Sequence, residues 1–224
     1  MELQPKLIDV RVPAEPQGVV VVLHGGASRR ENMMVSPTQL SVLRMIPIAK
    51  RIARAGKGEL AVFRLLNSRR GWETSHTPVN DAEWALNQVR DRFGGELPTC
   101  LVGHSLGGRA AILASGSPQV RCAVALAPYV YPSDIPTLHG QRIVIVHGSG
   151  DRIASPSRAI ELARRLAGRT PTGFVLVRGG KHAMLRRHGD FSGLAADFAT
   201  HSLLGRAKRA DSRDLVGGEF AVET

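Results

Sequence analysis

The sequence contains few aromatic residues, few cysteines and no long apolar segment. Phenylalanine, tryptophan and tyrosine make up 4% of the 224 residues, which leaves few of the flat side chains on which nucleic-acid bases stack. The two cysteines, Cys100 and Cys122, do not stand in a metal-ligand spacing and are too few for a disulfide framework. No apolar run reaches the about 20 residues that span a membrane.

The N-terminus also lacks the apolar core of a secretory signal. It reads Met1-Glu-Leu-Gln-Pro-Lys6, and we therefore expect a cytoplasmic protein. A chain of 224 residues is long enough for one domain with a sizeable core. Its hydrophobic content of 43% is ordinary for a soluble globular protein.

Negative charge is scarce relative to positive charge. The 30 lysines and arginines stand against 19 aspartates and glutamates, which gives a net charge of +11. Such an excess is typical of proteins that bind nucleic acid, a membrane surface, or a substrate carrying phosphate or coenzyme A. The arginine pairs, however, are dispersed along the chain and are not interleaved with aromatic residues. We interpret the charge as a solvated surface and expect no nucleic-acid partner.

Apolar patterns predict alternating strands and helices. Apolar runs predict strands at 7–12, 19–23, 60–66, 98–102, 120–126, 142–147 and 172–177. Helical spacing predicts helices at 37–53, 81–93, 108–114, 156–167 and 183–204, with a kink or break at Pro47, Asp81 as an N-cap or first-turn acid, and interruptions near Gly189 and Gly193. The alternation predicts an α/β fold with a mostly parallel sheet and helices on both faces. We expect one domain over residues 1–204 and a disordered basic and polar tail over 205–224.

One motif combines with its flanking elements to indicate chemistry. Gly103-His-Ser105-Leu-Gly107 follows a predicted buried strand and precedes a predicted helix of small residues. A serine between glycines at such a junction is typical of a nucleophile elbow, a strained turn that presents the hydroxyl at a helix N-terminus. The helix dipole and free N–H groups there favour developing negative charge. The alternative is a glycine-rich turn whose serine caps the helix.

The elbow and three further blocks resemble the α/β-hydrolase superfamily. The blocks are His24-Gly25-Gly26, Gly103 to Gly108, His147-Gly-Ser-Gly-Asp151 and Gly179-Gly-Lys-His182, and the resemblance covers residues 7–204. The chain is similar in size to dienelactone hydrolases but has serine where those carry cysteine. Residues 127–140, where many hydrolases insert a lid, are short and rich in proline. The resemblance therefore implies a small, nearly lidless member with an open or shallow pocket.

The resemblance also implies the site residues. Ser105 would be the nucleophile, Asp151 the acid and His182 the base, in the chain order of the family. Backbone N–H groups of Gly26 and Leu106 would form the oxyanion hole, with Ala27 as the alternative to Gly26. Possible pocket residues are Ala27, His104, Trp72 and Tyr129.

Other residues of the same types compete for two of these roles. Asp134 lies where some hydrolases carry the acid, and His188 lies six residues after His182. We favour Asp151, because its loop resembles the acid loop of the family, and His182, because it follows its strand through Gly179-Gly180 whereas His188 lies in a more charged stretch. We expect His24 to fix its loop, and the remaining histidines, His76, His139 and His201, to lie on the surface.

The implied function is a serine hydrolase that cleaves ester bonds of small or medium acyl substrates through an acyl-enzyme. Thioesterase, acyltransferase and peptidase activities use the same residues and stay open, as does a non-catalytic binding protein that has kept its elbow. We expect a small-molecule ester or acyl substrate and no cofactor or metal. The sequence does not fix the substrate or the oligomeric state.

Overall fold

The computed structural model of the chain describes residues 4–26, 35–72, 76–206 and 220–223. Eight strands form one sheet in the order β1-β3-β2-β4-β5-β6-β7-β8. The strands are β1 Lys6–Arg11, β2 Gly18–Leu23, β3 Leu60–Leu66, β4 Thr99–His104, β5 Val120–Leu126, β6 Arg142–Gly148, β7 Thr172–Val177 and β8 Phe220–Glu223. Strand β1 pairs with β3 antiparallel, and every other pair is parallel.

Six α-helices lie in the described ranges and cover both faces of the sheet. They are α1 Leu40–Leu43, α2 Met45–Ala55, α3 Thr77–Phe93, α4 Leu106–Leu113, α5 Pro156–Ala167 and α6 His188–Leu204. Helices α2 and α6 pack on one face, and α3, α4 and α5 pack on the other. The prediction of an α/β fold with helices on both faces is therefore confirmed. No helix interrupts the segment between β5 and β6, as the prediction of a minimal lid requires.

The strand sequences explain why the sheet is central. Val19, Val20, Val21 and Val22 on β2 are all buried, with alternate side chains joining the cores on the two faces. A continuous β-branched run of this kind is expected where a parallel strand is covered on both sides. Cys100 and Cys122 lie side by side on β4 and β5 within this core and are free.

Three helix details differ from the sequence predictions. The break near Pro47 falls at Arg44, because Pro47 occupies the first turn of α2, where proline is tolerated. Helix α3 begins at Thr77, with proline in its first turn, so Asp81 lies inside the helix. There its buried carboxylate accepts hydrogen bonds from the N–H and hydroxyl of Ser68. Helix α6 runs without a break through Gly189 and Gly193.

The tail also differs from its prediction. Residues 205–224 were expected to be disordered, but Phe220–Glu223 forms β8, parallel to β7. Without it, β7 would be an edge strand with unpaired backbone groups, and pairing satisfies them. Residues 207–219 lie outside the described ranges.

A close backbone approach joins the loops that follow β6 and β7. The carbonyl of Gly180 accepts a hydrogen bond from the N–H of Gly150 at 2.9 Å. A methyl group on Gly148 would overlap that same carbonyl group. The contact thus requires glycine at position 148, and it fixes the loop that carries Asp151 against the loop that carries His182.

We predict that Gly148→Ala destabilises the protein strongly. The added methyl has no space and meets backbone, which cannot rotate away, so the free energy of unfolding should fall by about 2 kcal/mol or more. Urea unfolding would measure it. Gly168→Ala is the matched control, because its backbone is right-handed and its nearest neighbour lies at ordinary contact distance; it should change stability by no more than about 0.5 kcal/mol. Equal losses in the two variants would contradict the assignment.

Candidate active site

Ser105 occupies a strained turn between β4 and α4. Its backbone has φ 56° and ψ −119°, a conformation that residues with a side chain rarely adopt. Methyl groups on Gly103 or Gly107 would overlap the carbonyls of Gly107 and His24, respectively. The two glycines of the motif therefore permit a turn tight enough to present Ser105 beyond the end of β4.

The structure brings Ser105, His182 and Asp151 into one hydrogen-bonded line. The Oγ of Ser105 lies 3.0 Å from Nε2 of His182. On the other side of the ring, Nδ1 of His182 lies 2.8 Å from Oδ2 of Asp151. The side chain of Asp151 is fully buried, and that of His182 is 11% exposed. A hydroxyl that lines the cavity, an imidazole and a buried carboxylate in this order can move a proton from the serine to the ring.

Asp151 is held by more groups than the sequence analysis identified. Its Oδ1 accepts hydrogen bonds from the N–H groups of Ile153 at 2.8 Å and Ala154 at 3.0 Å. Nε2 of the buried His147 lies 3.2 Å from Oδ2. Burial by itself would raise the pKa of Asp151, but the hydrogen bonds from His147, His182 and the two N–H groups outweigh it and hold the pKa well below its usual range. The spacing of four residues between His147 and Asp151 is the only trace of this contact in the sequence.

His104, the residue before Ser105, supports the opposite side of His182. Its Nε2 lies 2.8 Å from the carbonyl oxygen of His182, so this nitrogen carries a proton and donates it. Burial, assisted by the charges of His182 and Arg44, lowers the pKa of His104 to about 3. His104 is therefore neutral at neutral pH and anchors the backbone of His182.

His24 links the ends of two strands. Its Nδ1 donates to the carbonyl of Gly25 at 2.6 Å, and its Nε2 accepts from the N–H of Asn67 at 3.1 Å. Burial lowers the pKa of His24. These contacts leave no ring nitrogen for acid or base chemistry, in agreement with the expectation that His24 fixes its loop.

An open cavity of about 340 Å³ lies over Ser105. The sequence analysis anticipated part of its lining, namely Gly26, Leu106, His104 and Tyr129, but not Gly25, Ser41, Arg44 or Ile153. Ala27 lies outside the described residues. Trp72 is not among the described lining residues, and its ring instead packs 4.3 Å from the guanidinium of Arg109. No motif in the sequence points to Arg44. It lies in an amphipathic helical stretch, and the fold brings it to the cavity.

The rival residues take other positions. Asp134 accepts two hydrogen bonds from Arg109, each of 2.8 Å, and does not contact His182. His188 begins α6, where its ring nitrogen lies 3.5 Å from the hydroxyl of Ser192. His76, His139 and His201 are not among the residues that line the cavity. Of the candidates, the geometry joins only Asp151 and His182 to Ser105.

The described ranges contain neither a membrane-spanning helix nor a metal-binding cluster. None of their helices has the length and apolar character needed to cross a membrane. Among the same residues, no group of three or more histidine, cysteine, aspartate or glutamate side chains is arranged to hold a metal ion.

Comparison with solved structures identifies the fold. A serine hydrolase homologue from Coxiella burnetii is 16% identical, with 86% of this chain and 90% of that chain covered and a TM-score of 0.65. A serine hydrolase without a lid from Xanthomonas campestris is 16% identical, with 92% and 90% covered and a TM-score of 0.65. The esterase domain of a Rhodothermus marinus protein is 17% identical, with 86% and 95% covered and a TM-score of 0.59. No curated protein matches the sequence.

The sequence itself also matches a family profile. The profile is that of the alpha/beta hydrolase family, and it matches residues 20–216. The match includes the elbow and the strands on either side of it. Together with the shared fold, it shows that this chain belongs to the alpha/beta hydrolase family.

Proposed function

We propose that the protein is a serine esterase that hydrolyses small or medium acyl esters through an acyl-enzyme. The observation that carries the proposal is the line from Ser105 through His182 to Asp151, with contacts of 3.0 and 2.8 Å, at the floor of an open cavity. Two comparisons support it: the chain belongs to the alpha/beta hydrolase family, and one of the similar structures is an esterase domain.

In the first half of the reaction, the serine is acylated. Nε2 of His182 takes the proton of Ser105 Oγ as the oxygen attacks the ester carbonyl carbon. The tetrahedral intermediate then collapses, the bond to the alkoxy oxygen breaks, and the protonated His182 gives its proton to the departing alcohol. The acyl group remains on Ser105.

In the second half, water takes the place of the alcohol. His182 accepts a proton from a water molecule as that water attacks the acyl carbonyl, and then returns the proton to Ser105 as the acid leaves. Within the described residues the cavity is open to solvent, and no helix lies between β5 and β6, so water can reach the acyl-enzyme. An open cavity favours hydrolysis over transfer to a second acyl acceptor, which requires that water be excluded.

The groups around Ser105 and His182 would stabilise the charges that form during the reaction, which are positive on the imidazole and negative on the substrate oxygen. Ionised Asp151 stabilises the imidazolium of His182 and fixes its tautomer. The N–H of Leu106 belongs to the first residue of α4, where a helix leaves its first N–H groups without internal acceptors. With the N–H of Gly26 across the cavity, it would stabilise the oxyanion, and one such donor is worth about 3–4 kcal/mol in the transition state.

We expect Ser105→Ala to abolish ester hydrolysis. Without the hydroxyl no acyl-enzyme forms, so kcat/KM for p-nitrophenyl esters from acetate to decanoate should fall by roughly 10,000-fold or more. A fluorophosphonate probe should label the wild type and not the variant. Ser133→Ala, at an exposed position, is the control and should keep both properties. A wild type that neither turns over esters nor takes the label would instead support the non-catalytic binding hypothesis.

Replacing each of the two candidate aspartates by asparagine tests which of them is the acid. Asp151→Asn removes the charge that stabilises the imidazolium, and we expect a loss of about 100- to 10,000-fold in kcat with KM little changed. Asp134→Asn weakens the pairing with Arg109 but touches no group of the triad, so its loss should stay within about tenfold. Steady-state kinetics on both folded variants measure this. If Asp134→Asn were the more damaging change, Asp151 would not be the acid.

The neutral state of His104 should appear in the pH dependence of stability. Its pKa is about 3 in the folded protein against an ordinary value of 6.5, so between these values the unfolded chain binds a proton that the folded chain does not. Stability should therefore fall as the pH decreases below 6.5, by up to about 1.4 kcal/mol per pH unit for this one group.

Urea unfolding at pH 7, 6 and 5 measures this slope. His104→Gln keeps an N–H donor for the His182 carbonyl but does not titrate, so the slope should become shallower by about one proton. His139→Gln, at an exposed position, should keep the wild-type slope. Identical slopes in wild type and His104→Gln would show that His104 does not resist protonation.

A further inference from the structure

One charged side chain on the cavity wall has no role in the mechanism above. Arg44 lies at the junction of α1 and α2, in a right-handed turn with φ −58° and ψ −32°. Ser41, one helical turn earlier, lines the same cavity, as do Ser105 and His182. The broken helix therefore brings a guanidinium and a hydroxyl to the wall of the space in which the substrate would be attacked.

Arg44 has no anionic partner within the described residues. Its Nε is buried without a hydrogen bond, and partial burial lowers the pKa of its guanidinium. A guanidinium removed from water normally gains a carboxylate or phosphate in return, because leaving its donors unpaired is costly. The protein therefore holds a cation partly out of water at the cavity and leaves at least one of its donors unused.

The rest of the cavity favours negative charge as well. No acidic side chain is among the described residues that line it. Asp151 lies behind His182, is fully buried, and is held by hydrogen bonds to both of its oxygens. A neighbouring depression, which shares Tyr129 and Ile153 with the cavity, is lined by Arg152 and Arg158. Among the described residues, a negatively charged group entering the site would thus meet cations and no carboxylate other than that of Asp151.

We infer that Arg44, together with Ser41, binds a carboxylate on the substrate, so that the preferred substrates are esters whose acyl part carries a second, ionised carboxyl group. A planar guanidinium binds a carboxylate through two parallel hydrogen bonds. The serine hydroxyl can donate a third. The inference rests on the proposed esterase function and specifies which esters the site takes.

The test compares acyl chains of equal length with and without the charge. Wild-type kcat/KM would be measured by alkali titration of the released acid for monoethyl succinate, glutarate and adipate, and for ethyl butyrate, pentanoate and hexanoate. For at least one chain length, the charged ester should be preferred. In Arg44→Met, the ratio of kcat/KM for the charged over the neutral ester should fall about 10- to 100-fold. Arg44→Lys should keep part of the preference, because it retains the charge but not the planar fork.

Arg121→Met is the matched control. It removes the same charge from an exposed position near the amino end of β5. The site lies at the carboxyl ends of the strands, so this variant should leave both rates unchanged. If it lowered the ratio as much as Arg44→Met, the preference would reflect overall charge and the inference would be overturned. Inhibition of ethyl butyrate hydrolysis by free glutarate gives a second measurement on the unmodified protein, and absence of inhibition would count equally against the site.

The outcomes separate the two proposals. If the neutral esters are hydrolysed in a Ser105-dependent manner but charged esters are not preferred and Arg44→Met leaves the ratio unchanged, the carboxylate site is wrong and the esterase proposal stands. If neither series is hydrolysed and Ser105 does not react with a fluorophosphonate, the esterase proposal itself fails.

Discussion

The arrangement of the site depends on backbone segments that approach each other too closely for side chains. Gly107, in the first turn of α4, lies against the carbonyl of His24 at the end of β2, and Gly103 lies against Gly107 itself. On the other side of Ser105, Gly148 and Gly180 make the same kind of contact between the loops that carry Asp151 and His182. Because backbone contacts cannot relax by changing rotamers, they position the reacting groups more rigidly than side-chain packing would.

The four buried or partly buried histidines around Ser105 differ in what their ring nitrogens contact. His24 and His104 are buried neutral, and each uses a ring nitrogen to fix a loop. His147 contributes to Asp151 from within the core. Of these four rings, only that of His182 contacts the hydroxyl of Ser105. The neighbouring rings thus hold loops and Asp151 in place, and His182 is the one placed to exchange a proton with Ser105.

Sequence patterns predicted the elements whose signal is local. The strands at 60–66, 120–126 and 172–177 agree with the structure in their bounds, since continuous apolar runs between turn residues are characteristic of buried parallel strands. The helix predicted at 156–167 also agrees in its bounds with α5, which the hydroxyl of Ser155 caps. By contrast, local patterns did not predict that α6 is one unbroken helix or that β8 forms. Both depend on tertiary contacts, which outweigh the glycines of α6 and the polar composition of the tail.

The same distinction applies to the site. Motif order indicated Ser105, Asp151 and His182, and the structure brings these three together. The contacts of His147 and the position of Arg44 follow from packing between distant segments, which one sequence does not reveal. The pairing of Asp134 with Arg109 likewise follows from packing between distant segments.

Two partly buried arginines, Arg44 and Arg109, differ in how their charge is paired. Arg109 is 14% exposed at its side chain, pairs with both oxygens of Asp134 and packs against the rings of Trp72 and Tyr131. A structural arginine is thus fully neutralised by the chain itself, as the cost of burying a charge demands. Arg44 is also partly withdrawn from water, yet the described chain supplies it with no carboxylate and leaves its Nε unpaired. Since the chain pairs Arg109 with a carboxylate of its own, the absence of a described partner for Arg44 at the cavity is best explained by an anion that arrives with the substrate.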